Sequence, residues 1–191
     1  MSKLNSSPTA FSIYLSYLLR HDPDSIGLKM DTQGYVDVAE LIRKVNTQTK
    51  YTIDRFDLES IVATDDKGRY RFNDNHMRIR ACQGHSIPWV IPISTEKKPP
   101  DRLYHGTTSE ALIKIMESEK IDKMRRHAVH MHVNVKDAEK SAKRWHKVPV
   151  VIVIDAARMY ALGHVFSVTD NNVWLTDNVP VEFILFTYDP E

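Results

Sequence analysis

The chain has 191 residues, 42% of them hydrophobic and 27% charged, a composition that folds rather than stays disordered and that fills one ordinary domain or two small ones. Lys and Arg total 26 against 25 Asp and Glu, a formal net charge of +1, so a uniformly basic arm and an acidic tail are both excluded and any polyanion must meet a local patch. No basic-then-apolar leader opens the chain and Cys82 is the lone cysteine, which excludes an internal disulfide framework and leads us to expect a reducing, cytoplasmic setting.

Phe11, Leu15, Leu18 and Leu19 fall at helical spacing, and Pro23 stops that helix just after Arg20-His21. Val38, Leu41, Ile42 and Val45 repeat the i, i+3, i+4, i+7 pattern, with Asp37 placed to cap the helix start. A third helix is expected from Asp54, burying Leu58, Ile61 and Val62. The period then changes to two. Arg69 to Phe72 and Met77 to Arg80 flank an Asn73-Asp74-Asn75 turn and read as paired strands. Three helices followed by a hairpin is the order of a winged-helix domain.

Polar Ser94-Thr95-Glu96-Lys97-Lys98-Pro99-Pro100 reads as a linker, since its Pro pair continues neither helix nor central strand. The expected division is a first lobe over 1–94, a linker over 95–100 and a second lobe over 101–191. In the second lobe Leu103-Tyr104-His105 reads as a strand and Gly106-Thr107-Thr108 as a turn. Ala111, Leu112, Ile115 and Met116 form an apolar helical face. Val129 to Val133 alternates, and Asp137 to Trp145 has a helical pattern. Val150 to Ile154 reads as a buried strand, and the apolar run around it, broken by Pro149, is too short to span a bilayer. Val165 to Val168, Val173 to Thr176 and Val181 to Tyr188 are further strands. The expected class is α+β.

Lys67, Arg69, Arg71, Arg78 and Arg80 all lie on the expected hairpin. Strand geometry turns Arg78 and Arg80 to one face and Met77, Ile79 and Ala81 to the other. Two planar donor forks on one face make a phosphate clamp; the plainer reading is a solvated strand, which periodicity alone favours. His127, His130 and His132 suggest a metal, but on a strand His127 points away from the other two, and no Cys or carboxylate completes a zinc set nearby. No metal site is expected. Gly84-His85-Ser86 places His beside Ser without a nucleophile elbow, and no Gly-rich nucleotide loop is present.

Five strings, in order, resemble the RNA 2′-phosphotransferase family: Leu15-Ser16-Tyr17-Leu18-Leu19-Arg20-His21-Asp22-Pro23, Ile79-Arg80-Ala81-Cys82-Gln83-Gly84-His85-Ser86, Tyr104-His105-Gly106-Thr107, Arg126-His127-Ala128-Val129-His130-Met131 and Val173-Trp174-Leu175-Thr176. The resemblance runs from about residue 11 to residue 185. It implies an N-terminal winged-helix-like RNA lobe and a C-terminal ADP-ribosyltransferase-like lobe that binds NAD. The implied partner is 2′-phosphorylated RNA of the tRNA splice-junction type, met by a monomer. The RNA phosphate would attack the anomeric carbon of the nicotinamide ribose and expel nicotinamide. The neighbouring ribose hydroxyl would then attack phosphorus, releasing 2′-hydroxyl RNA and ADP-ribose 1″,2″-cyclic phosphate.

The family's catalytic set carries over to Arg20, His21, Arg80 and Arg126; the Arg-His-x-Val-His register selects Arg126 over Arg125. Its NAD pocket implies His105, Gly106, Thr107, His130 and Val173, the last standing where many ADP-ribosyltransferases carry a catalytic Glu. Two positions depart from the family pattern. Asn172 replaces a Gly, and Asn tolerates a left-handed turn. A Gly-x-Arg segment appears as Ala142-Lys143-Arg144, so no NAD contact is assigned there. Two other functions stand as alternatives: an ADP-ribosyltransferase acting on RNA or DNA terminal phosphates, and a non-enzymatic winged-helix nucleic-acid-binding protein, against which the intact Arg20, His21, Arg80 and Arg126 set argues.

Overall fold

The computed structural model describes residues 4–190, and the chain divides into two compact units, residues 1–93 and 94–191. Residues 1–3 and 191, which the expected lobes included, lie outside the described residues.

In the first unit, α1 (Pro8–His21) starts where the Ser7 hydroxyl accepts the Ala10 N–H, with proline in its first turn. Asp22 ends the helix ahead of Pro23, which opens a short 3-10 turn. Strand β1 (Val36–Asp37) runs straight into α2 (Val38–Gln48), whose Glu40 N–H is capped by Asp37 at 2.8 Å. Helix α3 (Arg55–Ala63) carries a reciprocal capping box between Asp54 and Asp57. Strands β2 (Tyr70–Phe72) and β3 (Arg78–Ala81) pair antiparallel with Arg71 opposite Arg80, and β1 adds to the far side of β3 through Val36 and Ile79. The sheet order β1-β3-β2 therefore makes β3 the central strand. Phe11, Leu15, Leu18 and Leu19 of α1 join Leu41, Val45, Leu58 and Ile79 in one core. Each such side chain, fully buried, contributes about 1.5–3 kcal/mol.

The second unit begins with β4 (Ser94–Glu96), β5 (Arg102–Thr108), α4 (Ser109–Glu117), β6 (Lys120–Asp122) and β7 (Val129–Met131). It continues with α5 (Val135–Ala142), β8 (Pro149–Asp155), α6 (Ala156–Ala161), β9 (Ser167–Thr169), β10 (Trp174–Thr176), β11 (Asn178–Pro180) and β12 (Ile184–Tyr188). Three antiparallel sheets result, ordered β12-β8-β5, β4-β9-β10-β7 and β11-β6. Central β8 is buried from Val150 to Ile154, which explains its unbroken apolar run. Tyr104 and His132 exchange two backbone hydrogen bonds, 2.9 and 2.8 Å, and so tie β5 to the chain leaving β7. Helices packed with sheets whose pairings are all antiparallel make the protein α+β.

Several expectations change, among them Val181 to Phe183, expected in a strand and found as a 3-10 turn ahead of β12. The linker over 95–100 is no tether at its start: Thr95 and Glu96 pair with Val168 and Ser167, the Lys97 N–H donates to Phe166 O, and Pro99 is buried. A polar three-residue strand has no apolar alternation by which to be seen. The helix expected over Asp137–Trp145 starts earlier, at Val135, where Asn134 caps it, and tightens to a 3-10 turn over Lys143–Trp145. Gly106-Thr107-Thr108 is not a turn but the end of β5, paired through Thr108 to Pro149. Gly106 serves a different purpose there. A Cβ on it would sit 2.0 Å from Ala138 O and 2.8 Å from Ala142 N, so glycine lets α5 lie directly on the strand. Gly106→Ala should therefore cost about 3 kcal/mol or more through overpacking, lowering the thermal midpoint by on the order of 10 °C. A calorimetric melt checks this; an unchanged midpoint would contradict the close approach.

Candidate active site

The C-terminal turn of α1 carries Arg20 and His21, and a second segment, Gly84–Ser86, folds back onto it. Gly84 adopts φ +89°, a left-handed conformation that favours glycine, and it is the Arg20 stem and guanidinium that lie against it: a Cβ there would be 3.5 Å from Arg20 Cδ and Nε. The Ser86 N–H donates to Arg20 O at 3.0 Å. The Ser86 hydroxyl lies 2.9 Å from His21 Nδ1, and the exposed imidazole stands 5.7 Å from the Tyr17 ring. Ser86 and His85 adjoin in sequence but turn apart: His85 is buried against Gly34, where a Cβ would come within 2.9 Å of its Nε2.

Among the hairpin charges Arg80 departs from the solvated reading, whereas Arg71 opposite it is exposed. Arg80 is 1% exposed on the central strand, between Ile79 and Ala81, both at 0%. Its guanidinium carbon sits 5.2 Å over the Tyr35 ring, and Nη1 makes a long 3.4 Å contact to Ala81 O. Arg78 shares that ring at 5.6 Å but is otherwise occupied. It pairs with Asp31 at 3.0 Å and donates to Tyr35 O. The other Asp31 oxygen accepts the Gln33 and Tyr35 N–H groups, which fixes the loop that presents the ring. Neither Tyr35 nor Asp31 had any signal in the sequence, because the contacts join a loop to β3, far along the chain. A guanidinium held out of water attracts an anion far more strongly than a solvated one does.

The second unit holds the remaining candidates. His105 and Gly106 lie on β5, with Thr107 buried beside them. His105 Nδ1 is 2.9 Å from His130 O, so the neutral ring has its proton on Nδ1 and an acceptor lone pair on Nε2. Burial pushes the His105 pKa below the ordinary 6.5; the bond to His130 O opposes this and the charge of Arg126 adds to it. Arg126 itself keeps much surface in water, while crowding by the surrounding chain lowers its pKa without discharging it. His132 turns its Nε2 to Ser141 Oγ at 3.2 Å. Among the described residues no three His, Cys, Asp or Glu side chains are grouped to hold a metal ion. Val173 is buried just before β10, and Asn172 takes φ +58°, the left-handed conformation a glycine would adopt.

The depressed His105 pKa has a sign. The unfolded chain takes up a proton as pH falls below 6.5 while the folded protein does not, so stability is full above that pH and is lost toward the lower folded value. His105→Gln should flatten this acid-side loss in melts taken from pH 7.5 to 5. An identical slope in both proteins would show that His105 is not the responsible group.

Arg20, His21 and Arg80 thus belong to the first unit, with Gly84 and Ser86 gathered at the end of α1, whereas Arg126, His105, Gly106, Thr107, His130 and Val173 belong to the second. Residues 6–178 match the family described as RNA 2′-phosphotransferase, Tpt1 / KptA family. The chain belongs to the RNA 2′-phosphotransferase family. Proteins named as probable RNA 2′-phosphotransferases are similar to it almost end to end. One from Burkholderia lata is 44% identical over 176 residues, covering 92% of this chain and 89% of that protein. One from Nostoc punctiforme is 42% identical, covering 91% and 93%. One from Rhodopirellula baltica is 38% identical, covering 96% and 98%. Among the described residues of this phosphotransferase family member, no helix is long and apolar enough to cross a membrane.

Proposed function

We propose that the protein removes an internal 2′-phosphate from RNA, such as that at a tRNA splice junction, and that NAD is consumed as its second substrate. The observation that carries this reading is Arg80, a guanidinium almost sealed from water and resting on a tyrosine face, in the same unit as Arg20 and His21. A phosphate monoester is already an anion, so its attack needs orientation and charge compensation rather than a base. Arginine forks supply both. We read the first unit as a winged-helix-like RNA lobe, supported by its three helices ahead of an antiparallel hairpin, and the second as ADP-ribosyltransferase-like.

The second unit's residues fit an anionic, hydroxyl-bearing dinucleotide. A neutral His105 with an acceptor Nε2 suits a ribose hydroxyl, and Arg126, whose charge acts on His105, suits a phosphate. His130, Thr107 and Val173 complete the set, and an apolar Val173 spares an incoming phosphate the repulsion of a carboxylate. In the first step a phosphate oxygen bonds to the anomeric carbon as the bond to nicotinamide breaks. In the second, the 2″-hydroxyl oxygen bonds to phosphorus, the RNA 2′ oxygen leaves, and a proton passes from one oxygen to the other. His21 is the group that carries it, while Arg20, Arg80 and Arg126 compensate the phosphate charge. A reducing, cytoplasmic setting and a monomeric chain suit this reading.

The test is product analysis with NAD and 2′-phosphorylated RNA in EDTA. Cyclic phosphate and 2′-hydroxyl RNA are expected. Stable ADP-ribosylated nucleic acid, binding without turnover, or activity that needs added zinc or magnesium would each overturn the reading.

A further inference from the structure

We infer that Ser86 is a positioning residue for His21, because the Ser86 hydroxyl lies 2.9 Å from His21 Nδ1 while the Ser86 N–H holds the carbonyl of the preceding Arg20 at 3.0 Å. The inference deepens the proposed reaction and rests on it. His21 is the last residue of α1 and is exposed, so helix geometry alone does not set its rotamer. Ser86 is more firmly placed. It stands between His85 and Ile87, 1% and 7% exposed, which anchor the segment on both sides, and Gly84 makes the turn that brings it to the helix end. One short segment thus holds Arg20 by its main chain and His21 by its side chain.

The partner's chemistry suits the proposed role. A group that takes a proton from one oxygen at Nε2 and gives it to another keeps its Nδ1 proton throughout, first as a neutral ring and then as imidazolium. The Ser86 hydroxyl can accept from Nδ1–H in both states. A carboxylate in its place would also accept, but it would repel the phosphate. Ser86 touches no reacting atom in this scheme; it keeps Nε2 of His21 aimed.

The experiment compares wild type, Ser86→Ala and Ser86→Thr, with ring nitrogens labelled and His21 signals assigned through His21→Gln. In the free protein Ser86→Ala should shift the His21 ring-nitrogen signals and Ser86→Thr should keep them near wild type. With NAD and 2′-phosphorylated RNA, Ser86→Ala should slow release of 2′-hydroxyl RNA roughly tenfold, the scale of one lost hydrogen bond. ADP-ribosylated RNA should accumulate and the KM for RNA should stay unchanged, while Ser86→Thr should restore the rate. Unshifted ring signals, an unchanged rate in Ser86→Ala, or equal loss in both variants would overturn the inference. A wild-type chain inert with NAD would sink the proposed function instead, while the ring signals would still decide whether Ser86 holds His21.

Discussion

Arg80→Lys is expected to lower turnover by at least about a hundredfold, the scale on which removal of one preorganised donor usually acts, while the protein stays folded. Lysine keeps the charge but not the planar fork, and its ammonium cannot lie flat on Tyr35 as the guanidinium does at 5.2 Å. Burial sharpens the difference, because water cannot stand in for the missing donors at a position 1% exposed. Arg78 provides the contrast. Its pair with Asp31 is partly solvated on both sides, so Arg78→Ala should cost only about 0.5 kcal/mol of stability and chiefly weaken RNA binding and its salt dependence. Single-turnover rates of Arg80→Lys and Arg78→Ala, with melts as a control, separate the two arginines. Equal kinetic defects would remove the reason for singling out Arg80.

An NAD analogue lacking the 2″-hydroxyl of the nicotinamide ribose should stop the wild-type protein at ADP-ribosylated RNA, with no cyclic product. In the proposed scheme the first step asks for alignment and little proton movement; the second uses that hydroxyl as nucleophile and His21 to move its proton. His21→Ala with ordinary NAD should accumulate the same species, since the loss falls on the second step. Radiolabelled 2′-phosphorylated RNA followed on a gel reads both. Release of 2′-hydroxyl RNA from the analogue at the normal rate would show that another group attacks phosphorus, and the two-step scheme would have to be abandoned.

What could be read from the sequence follows from how far each interaction reaches along the chain. Helices α1 to α3 were legible because their apolar spacing is local; the structure seats the Asp37 cap as expected, and Asp54, expected to start α3, stands one residue ahead of it as its cap. Strand β1, with two residues, and β6 and β11, with three each, are too short to show a period. The candidate residues were nameable from their strings, but their settings were not. A charged side chain on a strand reads as solvated, and only the approach of Tyr35, in a loop 43 residues before Arg78, shows which arginine is sealed. Gly106 was misread for a similar reason. Glycine in a sequence suggests a turn, whereas here the missing Cβ answers to Ala138 on a helix that the sequence does not place beside it.

Strand β4 bears on how the two units can be handled separately. Ser94, Thr95 and Glu96 cover one side of β9 through pairs with Thr169, Val168 and Ser167. A fragment cut where the proline pair invites it, starting at Asp101, would strip that cover and leave β9 as an open edge of unpaired N–H and C=O groups. Such an edge recruits strands from other copies. The strand is polar and exposed, so little of its worth is hydrophobic burial; it acts as a shield against self-association. A fragment intended to stay dispersed at high concentration must begin at or before Ser94, and the first unit can be ended at Ile93 without taking a strand from its neighbour.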